Sequence, residues 1–349
     1  MKHTTVPWAV PGQSPFSFDS GSAGVIARVA DFTARAIATC PPAFRAEPRA
    51  GTPQGRNGGS IARGQPVPAA IPHDLEMNPS SNVARIHKQR RAIATFLEPL
   101  DHVTRSPHFV RQPGLRYERE GKLHELPRYQ FVGPRGGGDA MLIGIFATVH
   151  GDEPESGLGL LRFLQGLVRQ PEAGEGFVIH AYPVCNPTGY EDATRHARGG
   201  KDLNREFWRD SCEPEVRLLE EELRRYRFHG IVSLHCDDTS HGLYGFLSGR
   251  NSGAVLSASL LEPALRAAEE FLPRNFDPQI DGFHARGGVL STCYDGVLRA
   301  PDDVAQPPFE ITFETPQRAA VARQAEAFNA ALLTILAEYR QLLAHAPNL

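Results

Sequence analysis

The chain has 349 residues, 41% hydrophobic and 22% charged, with a formal net charge of −3. Such a chain can bury a large core, and its near-neutral charge gives no reason to expect nucleic acid or a membrane as a partner. No apolar run approaches the ~18 residues of a membrane-spanning helix, and residues 1–11 lack the unbroken apolar stretch of a signal peptide, so a cytoplasmic location is expected. The five cysteines, Cys40, Cys185, Cys212, Cys236 and Cys293, are odd in number and widely spaced. Reduced thiols, not a disulfide framework, are expected.

Residues 1–80 hold 11 of the 29 prolines and 8 of the 33 glycines, about twice ordinary usage. Periodicity is weak there apart from a short apolar stretch over 25–32. A disordered extension over 1–80 is expected, followed by one folded domain over 81–349. Met77 begins what reads as an ordinary protein start, so residues 1–76 are expected to be either an extension or an artefact of start-site assignment.

A helix is expected over 83–98, with Ile86, Ile93, Phe96 and Leu97 on one side. From about residue 113 apolar strands alternate with amphipathic helices, the pattern of an α/β fold. Strands are expected at 129–132, 141–149, 177–183, 230–234 and 309–313. The run 141–149 is continuously apolar, as in a central strand covered on both faces. Helices are expected at 158–168, at 214–226 and at 318–343. Pro214 suits a first helical turn, and Glu213 and Glu215 suit its positive end. Gly136-Gly137-Gly138 reads as a turn; no phosphate-loop lysine follows it, so nucleotide binding is unsupported.

Three apolar strands run into polar residues: His150-Gly151-Asp152-Glu153, His235-Cys236-Asp237-Asp238, and Glu314-Thr315-Pro316. In open α/β sheets, sites form at the carboxyl ends of strands. A catalytic zinc needs three protein ligands and one open position, and imidazole and carboxylate suit it. His150 and Glu153 form an HxxE pair after a glycine-bearing turn, and His235 can supply the third ligand. With 14 histidines in the chain, an HxxE pair alone is weak. The alternatives are a turn histidine at 150 and a satisfied core histidine at 235.

The segment between them is more specific: Asn186-Pro187-Thr188-Gly189, then Thr194-Arg195, then Asp202-Leu203-Asn204-Arg205-Glu206-Phe207. HxxE, NPxG, TR nine residues before the Asn of DLNRxF, a strand-end His and a strand-end Glu resemble, in that order, the zinc carboxypeptidase family. The resemblance covers about residues 125–340. It implies a mixed, mostly parallel eight-stranded sheet flanked by helices, and one zinc ion held by His150, Glu153 and His235. It implies Glu314 as general base, Arg195 as oxyanion stabiliser (with Arg198 the nearby competitor), and Asn204 and Arg205 as holders of the substrate carboxylate. Tyr294, twenty residues before Glu314, stands near the place of the family's substrate-capping tyrosine.

Each role has a bland counterpart: a capping acid for Glu314, a structural ion pair for Arg205, a core-capping hydroxyl for Tyr294. Cys236, Asp237, Asp238 and His241 read as supporting residues or a substrate rim. Asp202 reads as orienting Arg205 or capping a turn, and His180 and His196 as structural. The implied reaction is hydrolysis of an amide beside a free carboxylate, on a peptide or an acyl amino acid. The nine-residue gap from Arg195 to Asn204 sides with the peptidases; the deacylase relatives, aspartoacylases and succinylglutamate desuccinylases, tend to be shorter there. A silent binding protein on the same fold is the remaining alternative, and the full residue set argues against it. Neither the signal nor the disulfides of secreted carboxypeptidases are seen.

Overall fold

The computed structural model describes residues 91–135, 140–248 and 252–345. The segment 1–80 with Met77 and Cys40, the first part of the helix expected over 83–98, and the Gly136-Gly137-Gly138 turn lie outside the described residues. The described part opens with helix α1 (Ile93–Val103) and a hairpin of β1 (Phe109–Arg119) and β2 (Lys122–Val132). Glu120 and Gly121 both have positive φ at its tip, the backbone that a tight right-twisted hairpin needs. There follow β3 (Met141–Ala147), α2 (Pro154–Arg169), β4 (Phe177–Tyr182), α3 (Pro187–Asp192) and α4 (Pro214–Tyr226). The remainder is β5 (Gly230–Asp237), β6 (Tyr244–Leu247), α5 (Ser252–Ala268), β7 (Gln279–Ile280), β8 (Phe283–Arg286), β9 (Val289–Leu290), β10 (Phe309–Pro316) and α6 (Val321–His345).

The strands form one mixed sheet in the order β1-β2-β4-β3-β5-β10-β6-β9-β8-β7. Its centre, β4-β3-β5-β10, is parallel throughout. The hairpin β1-β2 joins one side antiparallel, and β6 joins β10 antiparallel on the other. The mixed α/β sheet flanked by helices is the architecture expected, with ten strands in place of eight and more antiparallel pairing at its margins. The excess lies in strands that sequence patterning does not register. β7 and β9 are two residues each, and β1 carries Pro113, Gly114 and a register shift between Gln112 and Leu115.

Both faces of the centre are covered. Ile143, Ile145 and Ala147 of β3 pack in one cluster with Phe96 of α1, Leu160, Phe163 and Leu164 of α2, and Phe328 and Leu332 of α6. Phe146 points the other way, to Val216, Leu219 and Leu223 of α4. A strand buried on both faces has no hydropathy alternation, hence the continuous apolar run. Pro154 occupies the first helical position of α2, where a missing N–H costs nothing. Among the described residues, no helix is long and apolar enough to cross a membrane.

Candidate metal centre

β3 leaves the sheet through Thr148, whose φ of 53° is left-handed. Its N–H donates to Ser156 Oγ at 2.9 Å, and that hydroxyl donates to Glu153 O at 2.7 Å. This knot turns the chain back on itself and sets Glu153 as the residue capping α2. Gly151 lies so close to the Gly189 backbone that a Cβ would overlap it. The loop bearing His150 is therefore pressed onto the Asn186–Gly189 turn. Asn186 fastens the two: its Oδ1 accepts from Gly189 N at 2.8 Å, and its Nδ2 donates to Val149 O at 3.3 Å and Arg195 O at 3.4 Å.

His150, Glu153 and His235 are buried, at 3%, 3% and 2% exposure, and their ligand atoms all lie within 4.8 Å of one another. His150 Nδ1 is 2.6 Å from Glu153 Oε1, His235 Nδ1 is 3.1 Å from Glu153 Oε2, and the two Nδ1 atoms are 3.2 Å apart. The far ring nitrogens are engaged: His150 Nε2 with Asp202 Oδ1 at 3.1 Å, His235 Nε2 with Ser233 Oγ at 2.9 Å. Both Nδ1 atoms are thereby turned to one point. Donors bonded at ~2.0–2.1 Å to one tetrahedral ion stand about 3.3 Å apart, so these separations and this donor set fit a divalent cation. Outer partners that fix imidazole orientation belong to such sites.

Burial opposes charge on His150, but the Glu153 and Asp202 carboxylates outweigh it and raise its pKa to about 8. Burial would raise the Glu153 carboxyl, yet His150 and then His235 hold it far below the usual carboxylate range. Burial lowers His235.

His150 and Glu153 of the triad border a cavity of about 530 Å³. Glu314 lines it, paired in register with His235 on the neighbouring parallel strand. Burial pushes the Glu314 carboxyl well above its ordinary value, helped by the charges of Glu153, Asp237 and Asp281. Arg195 also lines the cavity, with its side chain 42% exposed; its Nε donates to Asp202 Oδ2 at 3.1 Å and one terminal nitrogen reaches Glu153 Oε1 at 3.4 Å. Arg198 points elsewhere, forked onto Asp192 at 2.8 Å, and is not part of the cavity wall. Asn204 Oδ1 accepts from Leu298 N at 2.9 Å, which leaves its NH2 group as the donor for the cavity. Arg205 lines the wall beside it, and the Tyr294 ring covers its guanidinium at 3.9 Å. Seven of the eight residues singled out for chemistry thus border one space, and the eighth, His235, lies behind it in contact with His150 and Glu153.

Asp202 does more than the sequence suggested. It caps its turn by accepting from Asn204 N at 3.0 Å, and it also holds His150 and Arg195. Ser233, Tyr244 and Asp281 were missed. Ser233 sits two residues before His235, on the same strand face, a spacing that points to it; Asp281 carries no motif. Cys236, Asp237 and Asp238 border the cavity, whereas His241 does not and lies 3.8 Å from Asp277. His180 packs against Tyr226 away from the site, and burial lowers its pKa to about 4; His196 is exposed.

Among solved structures, the chain is similar to a candidate metallopeptidase from Shewanella amazonensis (22% identity, TM-score 0.57, 73% of this chain and 94% of that one). It is also similar to a metallo-carboxypeptidase from Burkholderia cenocepacia (17%, TM-score 0.56, 73% and 71%). The chain has a metallocarboxypeptidase-like fold. A metallo-carboxypeptidase from Pseudomonas aeruginosa shares the same metallocarboxypeptidase-like fold (16%, TM-score 0.53, 74% and 71%). No family model and no curated relative matches the sequence.

Proposed function

We propose that the protein is a zinc-dependent hydrolase that cleaves an amide bond beside a free carboxylate, in the manner of a metallocarboxypeptidase. One observation carries this reading. Asn204 and Arg205, donors suited to a carboxylate, open onto the same cavity as His150 and Glu153 of the triad and the buried Glu314. Zinc held by the triad supplies Lewis acidity to the scissile carbonyl and lowers the pKa of water there.

The remaining work falls to side chains. Glu314 takes a proton from the attacking water and returns it to the leaving amine. A carboxylate can carry that proton in both directions when its pKa suits the working pH. Arg195 is held by Asp202 and Glu153 and sets fixed positive charge where the carbonyl oxygen gains negative charge. The planar fork of Arg205 matches a carboxylate in two contacts, and Tyr294 closes over that end of the cavity.

The test combines metal analysis with a substrate panel. About one equivalent of zinc is expected, with turnover of peptides bearing a free C-terminus and none of their amidated forms. Turnover confined to N-acetyl- or N-succinyl-amino acids would move the protein to the deacylases. Less than about half an equivalent of zinc, with no activity restored by adding it, would sink the proposal.

A further inference from the structure

Just past the Asn204-Arg205 segment the chain takes up backbone that glycine alone adopts freely. Trp208 has a φ of 59° and Asp210 one of 51°. For a bulky side chain such a left-handed conformation persists only where its surroundings enforce it. Here α4 does so. Trp208 N donates to Glu220 Oε1 at 2.6 Å, and the Arg224 guanidinium lies 4.8 Å over the indole. Ser211 Oγ closes the turn by donating to Glu206 Oε2 at 2.9 Å. Trp208 itself does not border the cavity, so the strain is not spent on a direct contact with substrate.

What the turn achieves is an aim for the indole, whose Nε1 donates to Arg299 O at 3.0 Å. That carbonyl ends a span, 296–299, laid along residues 204–208. Gly296, at a φ of 74°, comes so near that a Cβ would overlap the Arg205 backbone. Phe207 N donates to Gly296 O at 3.0 Å, and Leu298 N to Asn204 Oδ1 at 2.9 Å. Tyr294 stands two residues before the span, with its ring 3.9 Å from the Arg205 guanidinium and its hydroxyl donating to Asp281 Oδ1 at 3.0 Å. Two side chains thus join the segments, Asn204 and Trp208, and Trp208 is the one outside the cavity.

Resting on the zinc hydrolase reading above, we propose that Trp208 is a positioning residue for the end of the cavity that receives the substrate carboxylate. Through Arg299 O its indole N–H fixes the span 296–299, and the span sets Tyr294 over Arg205 and holds the Asn204 amide. The Arg205 guanidinium is then caught between the Tyr294 ring and Asn204 O, to which its Nη1 donates at 2.8 Å. A planar fork meets a carboxylate in two contacts only when it is oriented beforehand. His150, Glu153 and His235 are carried instead by the ends of β3 and β5 and the start of α2. Loss of the indole bond therefore acts on carboxylate binding and leaves the metal alone.

The experiment uses the zinc-loaded full chain and Trp208→Phe, which keeps an aromatic ring under Arg224 and removes the N–H. Turnover is measured on benzoylglycyl-phenylalanine, zinc affinity by chelator competition, and binding of L-phenylalanine and its amide by calorimetry. KM should rise roughly 3- to 10-fold, the size of one lost hydrogen bond, with kcat and zinc affinity within about twofold of wild type. The margin by which L-phenylalanine outbinds its amide should shrink by the same factor. In a Tyr294→Ala background Trp208→Phe should cost less than about twofold more, because both act on one end of the cavity. An unchanged KM, a full penalty in the Tyr294→Ala background, or parallel losses in kcat and zinc affinity would reduce Trp208 to packing and leave the hydrolase standing. If Trp208→Phe does not fold, Glu220→Ala, which frees the strained Trp208 backbone, must raise KM alone, or the positioning role falls. A protein that turns nothing over, yet prefers L-phenylalanine to its amide and loses that margin in Trp208→Phe, keeps the positioning role and overturns the hydrolase. No turnover and no preference for the carboxylate overturns both.

Discussion

The centre of the sheet and the wing beyond β10 are built differently. The centre, β4-β3-β5-β10, has strands of six to eight residues, nearly all buried. The wing β6-β9-β8-β7 has strands of two to four residues. His235 and Glu314 stand side by side on the first. Tyr244 stands on the second, and Asp281 and Tyr294 hang from its connecting turns. Reacting atoms need placement within about 0.5 Å, which long paired strands supply. Choosing among substrate side chains tolerates the looser support of short strands and turns.

Four substitutions test that contrast. Glu314→Gln, in the centre, should lower turnover by about 10²- to 10⁴-fold, with melting temperature held or raised because a buried acid is gone. Activity within about threefold of wild type would remove Glu314 as base. Asp202→Asn reaches the centre from outside and weakens a hydrogen bond to His150. Zinc affinity, read by chelator competition, should fall about 10- to 100-fold.

His180 separates chemistry from packing within the centre. Its pKa is lowered from 6.5 to about 4 by burial, so the unfolded chain binds its proton first as pH falls through 6.5. Stability is then lost with acidification, by about 2 kcal/mol at pH 5 from this group alone. Denaturant titrations of wild type and His180→Gln should converge as pH drops from 7 to 5; parallel losses would assign the acid sensitivity elsewhere. The smallest effect is expected in the wing. Tyr294→Phe loses the bond to Asp281 but keeps the ring over Arg205, so KM should rise only about two- to fivefold with kcat little changed. A large fall in kcat would place Tyr294 with the reacting atoms.

What could be read from the sequence follows the same division. β3 and β5 were legible because burial on both faces leaves unbroken apolar runs. The triad was legible because HxxE, a strand-end histidine and the Asn204-Arg205 segment occur in one order. Yet β5 and β10 run on to Asp237 and Pro316, past the ends expected at 234 and 313. Ladder hydrogen bonds come from the backbone and do not stop where side chains turn polar. The wing was nearly invisible, since two-residue strands carry no period. Asp281, at a φ of 50° beside Gly282 at 80°, looks like any turn aspartate. The bond from Asp202 to His150 spans 52 residues, a distance over which a sequence motif says nothing.

β10 is the last strand in the chain, yet it lies between β5 and β6. During synthesis, His150, Glu153 and His235 are made well before Glu314, and the wing has no strand to join it to the centre until residue 309 has emerged. Until then β5 and β6 each have one unpaired edge, where β10 must later insert, and such edges are open to the wrong partner. A ribosome-bound or truncated chain without β10 thus holds its ligands but lacks Glu314. On the proposed reading, the last group the site needs arrives in the same step that closes the sheet.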